Sequence, residues 1–344
     1  MQYTKRLALV SLTCIFVLLL LYHASNSLPP VPQRRSHGFQ AVSSAFSNSE
    51  VDWSRFAYVQ YATNLPYLCN SLMLFERLHT FRSKADRLLL YPTQMSPDSE
   101  SPEADLLRKA RDTYHVTLQP IEIQLRNPAG SDTTWSASYT KLLAYNQTSY
   151  ARLLHLDSDS TLLQPLDELF LLPPCAAAMP RSYWEAQPKL SSQLLLLEPS
   201  AHEFARVEKA IAEAGPTDYD MEILNTLYRD AALVLPHKIY DLYTREFTLQ
   251  RDTGANHERY LGDESARWDP DVAAETAKFI HFSDWPLPKP WLKADSALVD
   301  KIKPPCVNDD ATDQEMQCRE QQIWLGFYED FRRRRKEVCG LDPV

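Results

Sequence analysis

Glycine is scarce in this chain, at 7 of 344 residues. That scarcity excludes the glycine-rich phosphate cradles, in which missing side chains let the backbone approach a phosphate closely. Neither G-x-G-x-x-G nor G-x-x-x-x-G-K-[S/T] occurs. An excess of positive charge is missing too. Lys and Arg total 36 against 45 Asp and Glu, a formal charge of -9. A general nucleic-acid binder needs a basic face to neutralise phosphates, so that class is set aside, although a local basic pocket is not. No Cys-x-x-Cys is present, which removes the usual zinc-knuckle spacing. No internal repeat occurs, and no Ser/His/Asp or Cys/His nucleophilic set stands out.

What is present is an ordinary globular composition, with 44% hydrophobic residues and 24 prolines. Lys5 and Arg6 precede an apolar run over residues 7–22, broken only by Ser11 and Thr13. The run is short for a membrane span and long for a signal-peptide core, and His23–Ser27 would suit cleavage. We take it as an uncleaved anchor, with the positive side cytoplasmic and the bulk of the chain lumenal. The expected organisation is a tail at 1–6, a transmembrane helix at 7–22, a Ser/Pro-rich stem at 23–52 and a catalytic domain at 53–344. Cys14 lies in the run and leaves five cysteines, an odd number that requires one unpaired thiol or an intermolecular bridge. One pair among Cys306, Cys318 and Cys339 is the disulfide candidate. Asn146-Gln147-Thr148 is a glycosylation sequon.

From Trp53 onward, apolar runs alternate with helical spacing. Strands are expected at 57–62, 87–91, around Val116, and at 152–156, 193–197, 232–235 and 278–282. Helices are expected at 68–78, after the Ser101-Pro102 cap, at 138–146, after the Ser200/Glu203 capping box, at 221–228, and at the C-terminus through Trp324, Phe327, Tyr328 and Phe331. The alternation predicts an α/β domain with a mostly parallel sheet. Ligands collect outside the carboxyl ends of such strands.

The strand at 152–156 runs into Asp157-Ser158-Asp159. Carboxylates at i and i+2 past a strand can hold one hard divalent cation, whose remaining sites suit diphosphate oxygens. Alone, the pair is more often a solvated turn capping a helix than a metal site. His281 at another strand end can complete a metal site as a neutral imidazole. Lys289, between Pro288 and Pro290, can meet a diphosphate as a point charge.

These residues carry a resemblance. The chain is similar to the glycogenin-like family-eight retaining glycosyltransferases, and closer to their fungal Golgi N-acetylglucosaminyltransferase branch. The likeness covers roughly residues 56–291. It rests on Tyr58-Val59-Gln60-Tyr61-Ala62-Thr63-Asn64 with Tyr67, Thr140-Lys141-Leu142, Leu156-Asp157-Ser158-Asp159, Asp220-Met221-Glu222-Ile223-Leu224-Asn225 and the 281–291 segment. Leu68-Cys69-Asn70-Ser71, Ser83-Lys84-Ala85-Asp86-Arg87 and Tyr240-Asp241-Leu242 match the fungal branch. The resemblance implies a GT-A fold, Mn²⁺ (with Mg²⁺ as the alternative), a UDP-sugar donor and retention of configuration. It implies metal ligation by Asp157, Asp159 and His281. Thr63, Asn64, Tyr67, Lys141, Ser158 and Lys289 fall on the donor side, and Asp220 faces the donor sugar as the catalytic candidate. A Golgi membrane enzyme follows, transferring N-acetylglucosamine to a mannose-containing glycan. Its partners would be the donor, the glycan acceptor and the membrane, without nucleic acid. Another UDP-hexose donor, such as glucose or galactose, and a catalytically silent glycan-binding or scaffolding relative are the rival readings.

The chain departs from the family where the sugar is recognised. Met221 stands where the family has Gln, Ser191-Ser192-Gln193 replaces Asn-Ser-Gly, and the His-to-Lys spacing is two residues longer. Elsewhere the plainer readings are preferred. The run Arg332–Arg335 is expected to complement the helix dipole and face water. Asp309, Asp310 and Asp313 are expected to charge that helix's start. His155 is expected to be a hydrogen-bonded core residue. Trp184 is open between a core role and a sugar-stacking one.

Overall fold

The computed structural model describes residues 51–125, 137–249, 257–263, 265–306 and 314–343. The expected tail and anchor, most of the stem, and Asp309, Asp310 and Asp313 lie outside the described residues. Among the described residues, no helix is long and apolar enough to cross a membrane.

Among the described residues, ten strands form two sheets. They are β1 (Phe56–Tyr61), β2 (Asp86–Pro92), β3 (Val116–Ile121), β4 (Arg152–Leu156), β5 (Ser160–Leu162), β6 (Ala177–Pro180), β7 (Leu194–Leu197), β8 (Leu233–Leu235), β9 (Leu242–Tyr243) and β10 (Phe279–His281). The larger sheet has the order β3-β2-β1-β4-β7-β6-β8. Only β7 runs against the rest, pairing antiparallel with both β4 and β6. The expected mostly parallel sheet is therefore what forms. Every residue of β4 and β7 is buried, as expected of leucine-rich strands covered on both faces, Arg152 and His155 of β4 included.

The helices start where side chains can satisfy their first N–H groups. Asn64 caps α1 (Leu65–Thr80), so that helix begins three residues before its apolar stripe. Ser101 caps α2 (Pro102–Tyr114), and Ser200 caps α3 (Ala201–Ala212). Asp220 opens α4 (Asp220–Tyr228). The helix expected at 138–146 is present as a 3-10 helix, Ser138–Asn146, and Asn146 of the sequon is exposed at its end.

The smaller sheet, β5-β10-β9, is the element that the sequence did not announce. Its antiparallel register sets His281 opposite Ser160. The Phe282 N–H donates to the Asp159 carbonyl at 3.0 Å. Three residues of backbone pairing thus bring two halves of the chain, 122 positions apart, to one point.

The C-terminal helix α5 (Gln314–Cys339) clamps this arrangement, burying Trp324, Tyr328 and Phe331. The expectation for its arginine run is overturned in part. Arg332 and Arg333 face water, but Arg334 and Arg335 are buried, at 4% and 1% exposure. Arg334 pairs with Glu76 at 2.6 Å and donates to the Thr161 hydroxyl of β5 at 3.1 Å, while Arg335 donates to Asn70 at 2.9 Å. Helical periodicity explains the split, because consecutive residues on a helix point about 100° apart and two of four must face the core side. Two disulfides, Cys69–Cys339 and Cys306–Cys318, tie the same region, and Cys175 is free. The second joins two of the three late cysteines; the first closes over a separation of 270 residues that spacing could not reveal.

Candidate functional site

Asp157 follows β4, and its N–H donates to the Gln193 carbonyl at 2.8 Å. The Ser160 hydroxyl donates to the Asp157 carbonyl, closing a turn that keeps Asp157 and Asp159 on one side. His281 ends β10, with its Nε2 3.0 Å from Asp159 Oδ1 and 3.9 Å from Asp157 Oδ2. One ligand atom from each of Asp157, Asp159 and His281 lies within 4.8 Å of the others. Two carboxylates and an imidazole are a hard, compact donor set, and they fit a divalent cation of the Mn²⁺ or Mg²⁺ kind. The Ser283 hydroxyl sits 2.6 Å from His281 Nδ1, fixing the ring so that Nε2 faces the carboxylates. Burial lowers the His281 pKa against the pull of Asp159, which favours the neutral, ligating form.

Two lysines complete the cluster. Lys289 Nζ lies 2.7 Å from Asp159 Oδ2 and donates to the Phe282 carbonyl at 2.6 Å. Lys141 is almost wholly buried and bridges two carboxylates, at 2.7 Å from Asp157 Oδ1 and 2.6 Å from Asp220 Oδ2. The Ser192 hydroxyl also donates to Asp220 Oδ2, at 2.7 Å. Burial alone would lower the Lys141 pKa, but Asp157 and Asp220 raise it, so Lys141 stays an ammonium. Burial pushes Asp157 up to about 7, assisted by Asp159 and Asp220 and opposed by Lys141. Burial also pushes on Asp159, yet His281 and Lys289 hold its carboxyl well below the usual range. The two carboxylates of one motif are therefore driven apart by their neighbours.

The other residues singled out from sequence fall unevenly around this centre. Ser158 is half-buried between the two aspartates. Thr63 is half-buried at the exit from β1, whereas the Asn64 side chain is occupied in capping α1 through the Tyr67 N–H at 3.1 Å. Tyr67 meets Trp291 edge-on, with ring centroids 5.4 Å apart. Burial, followed by the charges of Asp159 and Asp157, pushes the Tyr67 phenol up to about 12. Glu222 turns away from the site, accepting from the Tyr219 N–H at 3.1 Å and pairing with Lys189 at 3.5 Å.

The expectation for His155 needs correction. It is buried, but neither ring nitrogen has a hydrogen-bond partner; it lies against Tyr61, and its Nδ1 is 4.0 Å from Asp157. Gln193, singled out in the sequence only as a departure from the family, donates its side-chain N–H to the Tyr243 hydroxyl at 2.6 Å, and sequence reasoning missed Tyr243, whose ring lies 5.5 Å from that of His281. Trp184 stacks on Tyr243 at 4.0 Å, two ring contacts from His281. Asp284 was also missed. Its buried carboxylate accepts from the Thr244 hydroxyl and, at 2.7 Å, from the Tyr328 hydroxyl of α5. Asp284 lies within the 281–291 segment, but nothing in the sequence pointed to its contacts, since its partners lie 40 and 44 positions away.

No protein-family model matches the chain. Among curated proteins it is 53% identical over 299 residues to "Glucose N-acetyltransferase 1" of Gibberella zeae, covering 84% of this chain and 63% of that one. It thus spans less than two thirds of that relative's length. It is 42% identical to the protein of the same name in Aspergillus fumigatus, covering 94% of this chain and 85% of the relative. The Saccharomyces cerevisiae protein of that name is 26% identical, with 85% and 83% covered. Among solved structures, the galactosyltransferase LgtC in complex with donor and acceptor sugar analogues is 13% identical with a TM-score of 0.49, covering 78% of this chain and 95% of that one.

Proposed function

The chain belongs to the fungal family whose curated members are named glucose N-acetyltransferase 1, and on that premise we propose that it transfers N-acetylglucosamine from a UDP donor to a mannose-containing glycan, retaining the anomeric configuration. It is a glycosyltransferase. Glucose has no nitrogen to acetylate, and a cluster of carboxylates, imidazole and lysines fits sugar transfer from a nucleotide. The observation that carries this reading is the convergence of Asp157, Asp159 and His281 with Lys289 and Lys141 beyond the ends of β4 and β10. The GT-A assignment rests on the family resemblance together with this placement.

In this reading Asp157, Asp159 and His281 hold Mn²⁺, with Mg²⁺ as the alternative. The bound metal supplies Lewis-acid neutralisation of the diphosphate. Lys289 stands beside the metal ligands, where its ammonium can pass from Asp159 to a phosphate oxygen as the leaving group gains charge. Thr63, Asn64 and Tyr67 border the nucleotide, with Tyr67 nearest the uracil, and Ser158 adds a donor-side hydroxyl. Lys141 and Ser192 hold Asp220 by one oxygen, so the carboxylate is fixed in direction and can orient the sugar or steady its developing positive charge. Lys141 and Asp220 act as one unit.

We place the enzyme in the Golgi membrane, type II, with residues 7–22 as anchor and the domain lumenal. Two disulfides support an oxidising compartment. The test is UDP release and transfer across a panel of UDP-sugars at fixed Mn²⁺, with a mannoside acceptor. Mn²⁺-dependent turnover of UDP-N-acetylglucosamine, abolished in Asp159→Ala, is expected. No release from any UDP-sugar would refute the enzymatic reading, and wild-type release by Asp159→Ala would refute the metal ligands alone.

A further inference from the structure

Trp285 is 83% exposed, and it is the only aromatic among the large hydrophobic side chains left exposed in the described residues. Its location is specific. It lies between His281, which faces the carboxylate pair, and Lys289, which pairs with Asp159. Its neighbours on both sides are pinned. Asp284 is buried and accepts from Thr244 and Tyr328, and the Ser283 N–H donates to the Thr244 hydroxyl at 3.1 Å. The Leu287 N–H donates to the Asp284 carbonyl at 2.7 Å, closing a turn with Trp285 and Pro286 at its tip, and the Leu287 side chain is buried. Lys289 then ties the end of the loop back to the Phe282 carbonyl.

A loop anchored this firmly, displaying one indole to water four residues from both His281 and Lys289, gains nothing for the fold. It does provide a preorganised apolar plate, for which little ordering entropy remains to be lost on binding. The plate's chemistry suits the C–H face of a pyranose, which an indole can cover while the sugar's hydroxyls stay hydrated. The longer His-to-Lys spacing of this chain is the segment that carries it.

We propose that Trp285 is the acceptor platform: a glycan acceptor stacks one pyranose ring on this indole, which sets the reach of the attacking hydroxyl towards the donor. This rests on the glycosyl-transfer reading above, and the experiment separates the two.

Wild type, Trp285→Ala and Trp285→Tyr are compared by steady-state transfer to a mannoside acceptor, by acceptor-independent UDP release, and by ligand-observed NMR of mannoside binding to the full chain. Because the side chain is exposed, the Ala variant is expected to fold with stability within about 0.5 kcal/mol of wild type. For Trp285→Ala the acceptor KM is expected to rise about tenfold, with the mannoside NMR signal weakened in parallel, and Trp285→Tyr to recover most of both. Donor KM and acceptor-independent UDP release are expected to stay within twofold. An unchanged acceptor KM and NMR signal would overturn the proposal. So would a Trp285→Ala defect confined to binding of phosphatidylcholine/phosphatidylserine vesicles, which would make the indole a membrane contact. A parallel loss of acceptor-independent release would also overturn it, by making Trp285 structural. If wild type releases UDP from no sugar, the transfer reading fails, and the mannoside NMR comparison still decides Trp285.

Discussion

Replacing Lys141 with methionine keeps the volume of the side chain and removes its charge. In the structure that ammonium is 3% exposed and lies between Asp157 and Asp220, at 2.7 and 2.6 Å. Each contact is worth roughly 6 kcal/mol of attraction at an effective dielectric constant near 20, before the cost of stripping water from the ions is subtracted. Breaking one partner out of a buried pair costs about 3–5 kcal/mol, because the charges left behind stay desolvated. In EDTA the Lys141→Met protein is expected to lose about 3–5 kcal/mol of stability, a fall in melting temperature on the order of 10 °C for a domain of this size. Saturating Mn²⁺ is then expected to restore more to the variant than it adds to wild type, since the cation supplies charge where the ammonium was lost. Differential scanning fluorimetry with and without metal reads both effects. A melting point in EDTA within about 2 °C of wild type would refute the reasoning.

Three other outcomes follow from the same geometry. Asp157 is raised to about 7 in the folded chain from 3.8, so between those values the metal-free native state holds a proton that the unfolded chain has released. Its contribution to stability therefore falls as pH rises through that window, whereas Mn²⁺ affinity, which requires the proton to leave, is expected to climb about tenfold per pH unit below 7 and level off above it, as titration calorimetry would show. Cys69→Ser opens a loop of 270 residues and is expected to cost about 3–5 kcal/mol in chemical denaturation, whereas Cys175→Ser is expected to leave the midpoint unchanged. Arg334→Ala strands Glu76 and releases Thr161, so it is expected to cost about 3 kcal/mol, while exposed Arg332→Ala stays within about 0.5 kcal/mol.

The parts of the molecule that were legible in the sequence are those specified by neighbours in sequence. β4 reads as a strand because Leu153, Leu154 and Leu156 form a short apolar run broken only by His155, and α2 because Ser101 caps it and Pro102 opens it. Asp157 and Asp159 could be placed together because a turn of three residues joins them. His281 and Lys289 were found by motif, yet their approach to the aspartates depends on β5 pairing with β10, two three-residue strands whose spacing carries no periodic signal. The contacts of Asp284 and Gln193 and the Arg334–Glu76 pair were hidden for the same reason, since each joins polar side chains 40 or more positions apart. The solvated reading of the arginines failed because charge composition does not report which two of four consecutive residues turn inward.

The arrangement of charges explains why two lysines accompany this metal motif. Asp157, Asp159 and Asp220 formally carry three negative charges, and Lys141 and Lys289 carry two positive ones, with His281 held neutral by burial. One uncompensated negative charge remains, so on the proposed function a divalent cation would bring the cluster to a single positive charge and the donor's diphosphate would return it to a single negative one. Without the lysines, the metal-free site would concentrate three carboxylates in a buried space, which the chain could relieve only by taking up protons. Without Lys289 alone, the cation would bring the cluster only to neutrality, and the diphosphate of the proposed donor would meet no net positive charge. Lys141 differs from Lys289 in being sealed beneath Asp157 and Asp220, whereas Lys289 is about one third exposed. The buried lysine therefore fixes the carboxylates, and the accessible one is free to exchange its carboxylate for a phosphate oxygen.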